Sequence, residues 1–331
     1  MSISFSDTTD LRARRLIAQL LSPSAARPPL DSLAETATWL TAVQAQNAAA
    51  GREALALRTG ADSLSPADLS AAGVVRSWSQ RGTHHYLPAR DVRWITLLCS
   101  PRVQRASAKR RGLLGLTDAD VDLGRTALLA ALADGNSLTR TQCYGVFRDA
   151  GVDPDGGRGP HMLRHFGGEG DIIQGVPAGR EETFVLHDAA VSDPVDLTGE
   201  DALGALATRY FRSRGPATVK DFAWWTGLTV TDAKKGTALA VAAGAVIEAS
   251  AADGRTMYLG DWQADVTAAE RTDAVSPEQA DIPLPAFDEY LMAYTDRSDI
   301  ITPVVTAEVG PTKNGLVHPS VLRAGVVTAR R

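Results

Sequence analysis

The chain has 331 residues, 44% hydrophobic and 22% charged, with a formal net charge of −5. That is globular composition, at a length that predicts two or three domains with a sizeable core. It excludes a membrane span, since no apolar run approaches ~18 residues. It also argues against a secretion signal, because residues 1–10 are polar, and against a disulfide framework or cysteine-rich metal site, because Cys99 and Cys143 are the two cysteines. A cytoplasmic, reduced protein with no metal and no cofactor is expected.

The first elements read as helices. Leu16, Ile17, Leu20 and Leu21 form an apolar face after Asp10, a candidate N-cap. Pro28 and Pro29 break the chain, and Ser32 with Glu35 is a capping-box pattern opening a helix striped by Leu33, Ala37 and Leu40. Ser65-Pro66-Ala67-Asp68 is another helix start, with proline at the first helical position. Residues 74–87 (VVRSWSQRGTHHYL) are rich in β-formers around Gly82 and predict a hairpin. Three helices and a hairpin are the order of a winged-helix domain.

The order recurs. Residues 123–133 read as a helix ended by Gly135-Asn136, and Thr139-Arg140-Thr141-Gln142 caps a helix running to Asp149. The Gly-rich Asp155-Gly156-Gly157-Arg158-Gly159 follows no strand pattern and reads as a loop. Residues 172–186 are a second wing about a Pro/Gly turn. Residues 203–211 are helical up to Gly215-Pro216, and Thr218 opens a helix that turns at Thr226-Gly227-Leu228-Thr229 into a recognition-type helix over 231–243. Residues 246–259 are a third hairpin, turning at Asp253-Gly254, and residues 321–327 a last one at Ala324-Gly325. The expected fold is mainly α with β-hairpins (α+β). Three tandem winged-helix modules, 1–115, 116–195 and 196–262, precede a small C-terminal β-rich piece, 263–331. The repeat is one of pattern rather than of residues.

Charge is polarised along the chain. Residues 76–111 carry nine basic residues against Asp91, whereas 260–310 carry eleven acidic residues against Arg271 and Arg297. A basic segment of this kind meets phosphate, or else is a solvated helix face. Arg76, Arg81 and Thr83 are candidate phosphate contacts around Gly82, which tolerates positive φ. Lys109, Arg110 and Arg111 are a candidate phosphate clamp, or a solvated helix end. No metal-ligand spacing accompanies His84 and His85, no lysine stands out as a Schiff-base nucleophile, and nucleotide-binding glycine motifs are missing.

Four phrases occur in order: Val43-Gln44-Ala45-Gln46; Arg76-Ser77-Trp78 with Arg81-Gly82-Thr83-His84-His85; Gly215-Pro216-Ala217-Thr218 through Phe222-Ala223-Trp224-Trp225-Thr226-Gly227-Leu228; and Leu284-Pro285-Ala286-Phe287-Asp288-Glu289-Tyr290-Leu291. Together they resemble the AlkZ/YcaQ-type winged-helix DNA glycosylases over nearly the whole chain. The resemblance implies three winged helices around a concave DNA-binding face, and excision of alkylated purines, crosslinked ones included. It assigns catalysis to Gln44 and Gln46, as in the Gln-x-Gln branch associated with self-resistance to genotoxins. His85 matches the family's histidine, whereas His84 occupies a variable place; both are candidate DNA-binding residues on the hairpin.

N7-alkylation gives guanine a positive charge and makes it a good leaving group. The enzyme then needs mainly to place a water near the sugar C1′ and stabilise an oxocarbenium-like transition state. A glutamine amide is a weak base, but it accepts through its oxygen and donates through its nitrogen, so two can orient a water. Residues two apart diverge on a helix. The motif therefore works only if the helix ends near Val43 and the chain is extended; otherwise it is a continuing helix with one glutamine solvated. His85 can equally be a packed histidine, and at least one of Trp224 and Trp225 belongs to the core. The expected partner is double-stranded DNA bound by a monomer without an obligate protein partner. The alternative is a non-catalytic winged-helix DNA-binding protein or transcription regulator.

Overall fold

The structure, a computed structural model, describes residues 3–5 and 7–331. It is mainly helical with small, largely antiparallel sheets, and its contacts group it into two units. One comprises the chain up to Leu64 together with Thr198–Arg331; the other is Ser65–Leu197. Residues 65–115, read from sequence as part of the first module, thus group with the second hairpin. Among the described residues no helix is long and apolar enough to cross a membrane.

The discontinuous unit begins with the helix Thr8–Ala18, capped by Asp7 rather than Asp10. Helix Leu33–Leu40 is capped by Ser32 as expected. Helix Ala48–Thr59, unread in the sequence, is capped by Asn47, whose side chain accepts from the N–H groups of Ala49 and Ala50. The returning chain forms Gly199–Arg214, then Val219–Thr226 with the Thr218–Asp221 capping box, then Val230–Ala242. The first and last of these cross closely at Gly236, where a Cβ would lie 2.8 Å from the Leu203 carbonyl oxygen. Hairpin Val246–Ser250/Thr256–Gly260 follows, its Met257 and Leu259 packing on Phe5 and Leu11. The last segment pairs Ile282–Leu284 with Ser320–Arg323, and that strand with Val326–Arg330.

In the continuous unit, strands run in the order His84–Pro88, Val74–Trp78, Ile172–Gln174, Thr183–Leu186, Leu138–Thr139. The first two hairpins therefore share one sheet. The core beside it gathers Trp78, Leu128, Phe147, Met162, Phe166 and Phe184. Thr139 and Gln142 form the capping box of helix Arg140–Asp149, as the sequence predicts. The Gly-rich run departs from expectation. Gly157 is a left-handed N-cap, and Arg158–Gly168 is a helix with Pro160 in its first turn, where no backbone N–H is needed.

Candidate active site

In the discontinuous unit the Gln-x-Gln segment lies between two helices. The first ends at Leu40. Thr41 then takes φ 66° and ψ −52°, and the Ala42 N–H reaches the Leu40 carbonyl at 2.6 Å. This is a γ-turn of the strained hand, centred on a β-branched residue at positive φ. Such strain costs of order 1–3 kcal/mol and persists only where neighbours over-determine it.

Those neighbours are Arg214 and Glu289. Arg214 Nη1 donates to the Leu40 carbonyl and Nη2 to the Ala42 carbonyl, both at 2.7 Å, so one guanidinium spans the turn. Glu289 Oε1 accepts the Gln44 N–H at 2.9 Å, and its Oε2 takes Arg214 Nη2 at 2.8 Å and Trp225 Nε1 at 3.0 Å. Both charges are fully buried and mutually compensated. Next to them Arg58 and Asp288 form a second buried pair, bidentate at 2.8 and 2.7 Å. Asp288 and Glu289 belong to a phrase that sequence reasoning quoted without giving either a role.

The backbone thus enters the motif extended, with Val43–Gln44 as strand. Gln44 is 6% exposed, Ala45 between the two glutamines is fully buried, and Gln46 is exposed. The strand stops at Gln44, and Gln46 lies in a bend just before the Asn47 cap, so the motif is non-helical. Trp225 is wholly buried, as expected of one of the adjacent pair.

In the continuous unit Arg76, Arg81, Thr83, His84 and His85 share the first hairpin. Arg76 is largely buried, bonded to Gln174 Oε1 at 2.6 Å and Glu182 at 2.7 Å; Glu182 also pairs with Arg140. Burial alone would raise the Glu182 carboxyl, but the hydrogen bonds from Arg140 and Arg76 outweigh it and hold the group at about 2. His84 lies against Trp78, ring centroids 4.4 Å apart, with Nε2 3.3 Å from the Gln174 amide nitrogen. Burial and then the Arg76 charge push its pKa down to about 3. A neutral ring accepting from that amide satisfies both facts. His85 is fully buried, with Nδ1 3.1 Å from the Thr83 carbonyl and 3.0 Å from Ser79 Oγ. The two imidazoles therefore pack inward and brace the hairpin. Thr83 Oγ1 donates to the Gln80 carbonyl at 3.3 Å, and the half-buried Arg81 takes φ 54° at the tip.

Lys109 and Arg110 are exposed where helix Pro101–Ala108 ends, and Arg111 pairs with Asp118 at 2.5 Å. Arg111 also lies 3.1 Å from His165 Nε2. Sequence reasoning missed His161, Arg164 and His165, which face this segment from a helix whose first residues it read as a loop. Among the described residues no His, Cys, Asp and Glu group could hold a metal.

A family model described as "DNA glycosylase AlkZ-like" matches residues 37–330. Among curated proteins none matches the sequence. Among solved structures, the Streptomyces sahachiroi DNA glycosylase AlkZ superposes with a TM-score of 0.74 at 23% identity, covering 99% of this chain and 87% of that one. At that identity the superposition speaks for the fold, and the family match extends to most of the chain. The chain belongs to the AlkZ-like DNA glycosylase family, and so is a DNA glycosylase.

Proposed function

We propose that this glycosylase is monofunctional and hydrolyses the N-glycosidic bond of N7-alkylated purines in duplex DNA, bulky and interstrand-crosslinked adducts included. Gln44 and Gln46 orient the attacking water. Arg81, Thr83, Lys109, Arg110 and Arg111 meet the DNA backbone, while Arg76, His84 and His85 shape the hairpin that presents them. The protein acts as a monomer in DNA repair or in self-resistance to a genotoxin.

One observation carries the reading: the backbone around Gln44 is strained, extended and held by a buried Arg214–Glu289 pair. A neutral amide pair is too weakly basic to activate water on its own. It suffices where the leaving group is already cationic, and then the gain comes from fixed geometry. A crosslinked purine is tethered to the opposite strand and cannot be flipped into a closed pocket, which favours residues entering a groove. Family membership weighs against the non-catalytic alternative.

The test is abasic-site formation in duplex DNA carrying N7-alkylguanine, comparing wild type with Gln44→Ala and Gln46→Ala. Each substitution is expected to slow release at least about tenfold, ~1.4 kcal/mol of transition-state stabilisation. Rapid release of unmodified bases, or a borohydride-trapped adduct with the protein, would contradict the mechanism.

A further inference from the structure

Arg164 stands on the helix Arg158–Gly168, half-buried, and among the described residues it makes no hydrogen bond and no ion pair; its Nε is enclosed without an acceptor. By contrast, Arg76 and Arg140 share Glu182, and Arg158 has Asp153. A guanidinium stripped of part of its hydration, with five donors and no acceptor, is costly unless an anion arrives.

The surroundings add positive charge. Burial lowers the Arg164 pKa and the charge of Arg110 lowers it further. His161, on the same helix, is buried with Nε2 lacking a partner and Nδ1 3.5 Å from Ser107 Oγ. Burial first, then Arg111, His165, Arg110 and Arg164, push its ring down to about 4. The Arg164 guanidinium also packs under the first hairpin's tip, where a Cβ on Gly82 would overlap it and Val103. Leu113, 88% exposed, follows Arg110 and Arg111 on the next turn of chain, an apolar side chain left in water on a basic face.

We propose that Arg164 anchors a binding site for a DNA backbone phosphate, completed by Arg110 and by the His161 Nε2 edge. A phosphate supplies the acceptors that the fork-shaped guanidinium lacks and neutralises the local excess of charge. The contact is one of register and affinity, independent of base sequence. The proposal rests on duplex DNA being the substrate, and it deepens that reading by adding a phosphate contact from a helix outside the basic run 76–111.

The experiment measures binding of the full chain to an undamaged duplex by fluorescence anisotropy over a range of salt. Arg164→Gln is expected to raise Kd about tenfold and to reduce the slope of log K against log salt by about 0.9, the release of one phosphate contact. Arg164→Lys keeps the charge without the fork, so it should keep the slope while binding more weakly than wild type. Circular dichroism and a melting curve confirm that each variant is folded. A folded Arg164→Gln with wild-type affinity and slope overturns the site, as does an Arg164→Lys that loses slope like Arg164→Gln. Base release from alkylated duplex by the wild type is scored separately. Its absence sinks the substrate reading, while the salt slope still decides on Arg164.

Discussion

Glu289 Oε1 accepts the main-chain N–H of Gln44 at 2.9 Å, while Oε2 of the same carboxylate holds Arg214 and Trp225. One side chain thus ties the Gln-x-Gln backbone to a charge that would otherwise be stranded in the core. Glu289→Ala leaves Arg214 buried without compensation, which costs about 3–5 kcal/mol. Urea or thermal melts should show that loss. Base release by the remaining folded protein should fall as well, because the strained turn loses its restraint. Glu289→Gln keeps an acceptor for the Gln44 N–H and should lose less of both. A Glu289→Ala protein with wild-type stability would contradict the role given to the pair.

The histidines of the continuous unit predict an acid-side loss of stability. Burial, reinforced by neighbouring arginines, lowers His84 to about 3 and His161 and His165 to about 4. In the unfolded chain an imidazole titrates near 6.5. Below that pH the unfolded state takes up protons that the folded state refuses. The stability is therefore complete above about 6.5 and drains away as pH falls toward the folded values. Carboxylates are still ionised in both states between about pH 6.5 and 5, so the slope there reports the histidines. Melts across that interval should shift downward, and His165→Asn should flatten the shift. Glu182 adds a second window: its lowered pKa stabilises above about 4.3, and that stability is lost as pH falls through about 2.

Neither thiol should react in the native protein. Burial pushes Cys99 and Cys143 up to about 12, and the thiolate is the reactive form. A colorimetric thiol reagent should register no rapid labelling until denaturant is added. Fast modification of either cysteine at neutral pH would contradict their placement in the core.

Gly82 has φ 67°, and a Cβ there would overlap the Arg164 guanidinium and Val103. Gly82→Ala combines an unfavourable backbone with overpacking and should cost about 1–3 kcal/mol. The measurement is a urea melt, with Gly60→Ala as the comparison. Gly60 also has positive φ but open space around it, so only the backbone cost applies.

What the sequence displayed was local. The capping box at Thr139 forms as read, and the helix starts read at Ser65 and Thr218 prove to be capping boxes too, because an N-cap is written in four consecutive residues. The hairpin turns at Gly82 and Gly325 declare themselves through positive φ in the same way. The Arg158–Gly168 helix was hidden because Gly157 serves as a left-handed N-cap, a use that Gly-rich composition does not distinguish from a loop. Asn47 and the alanines after it gave no apolar period to mark the Ala48–Thr59 helix.

The site was half legible for the same reason. The two glutamines and the basic hairpin stood out as phrases. The partners that determine what those phrases do lie far away in sequence: Glu289 is 245 positions from Gln44, and Glu182 is 106 from Arg76. The carboxylate beside Arg76 stands just before the strand Thr183–Leu186, where nothing near Arg76 in sequence announces it. Arg164 looked like nothing in particular, since its lack of a carboxylate is a fact of packing.

The two-part make-up of one unit has a consequence for biosynthesis. Residues 65–197 form a unit without the later chain, whereas the unit that holds Gln44 resumes at Thr198. Domains mature as they leave the ribosome, at about 5–20 residues per second. The carboxylate that seats Gln44 is translated 245 residues later, a delay of about 12–50 s at that pace. The nascent polypeptide can therefore complete its continuous unit well before the Gln44 segment is in register, and if that segment is the proposed catalytic motif, competence to cut a glycosidic bond arrives last.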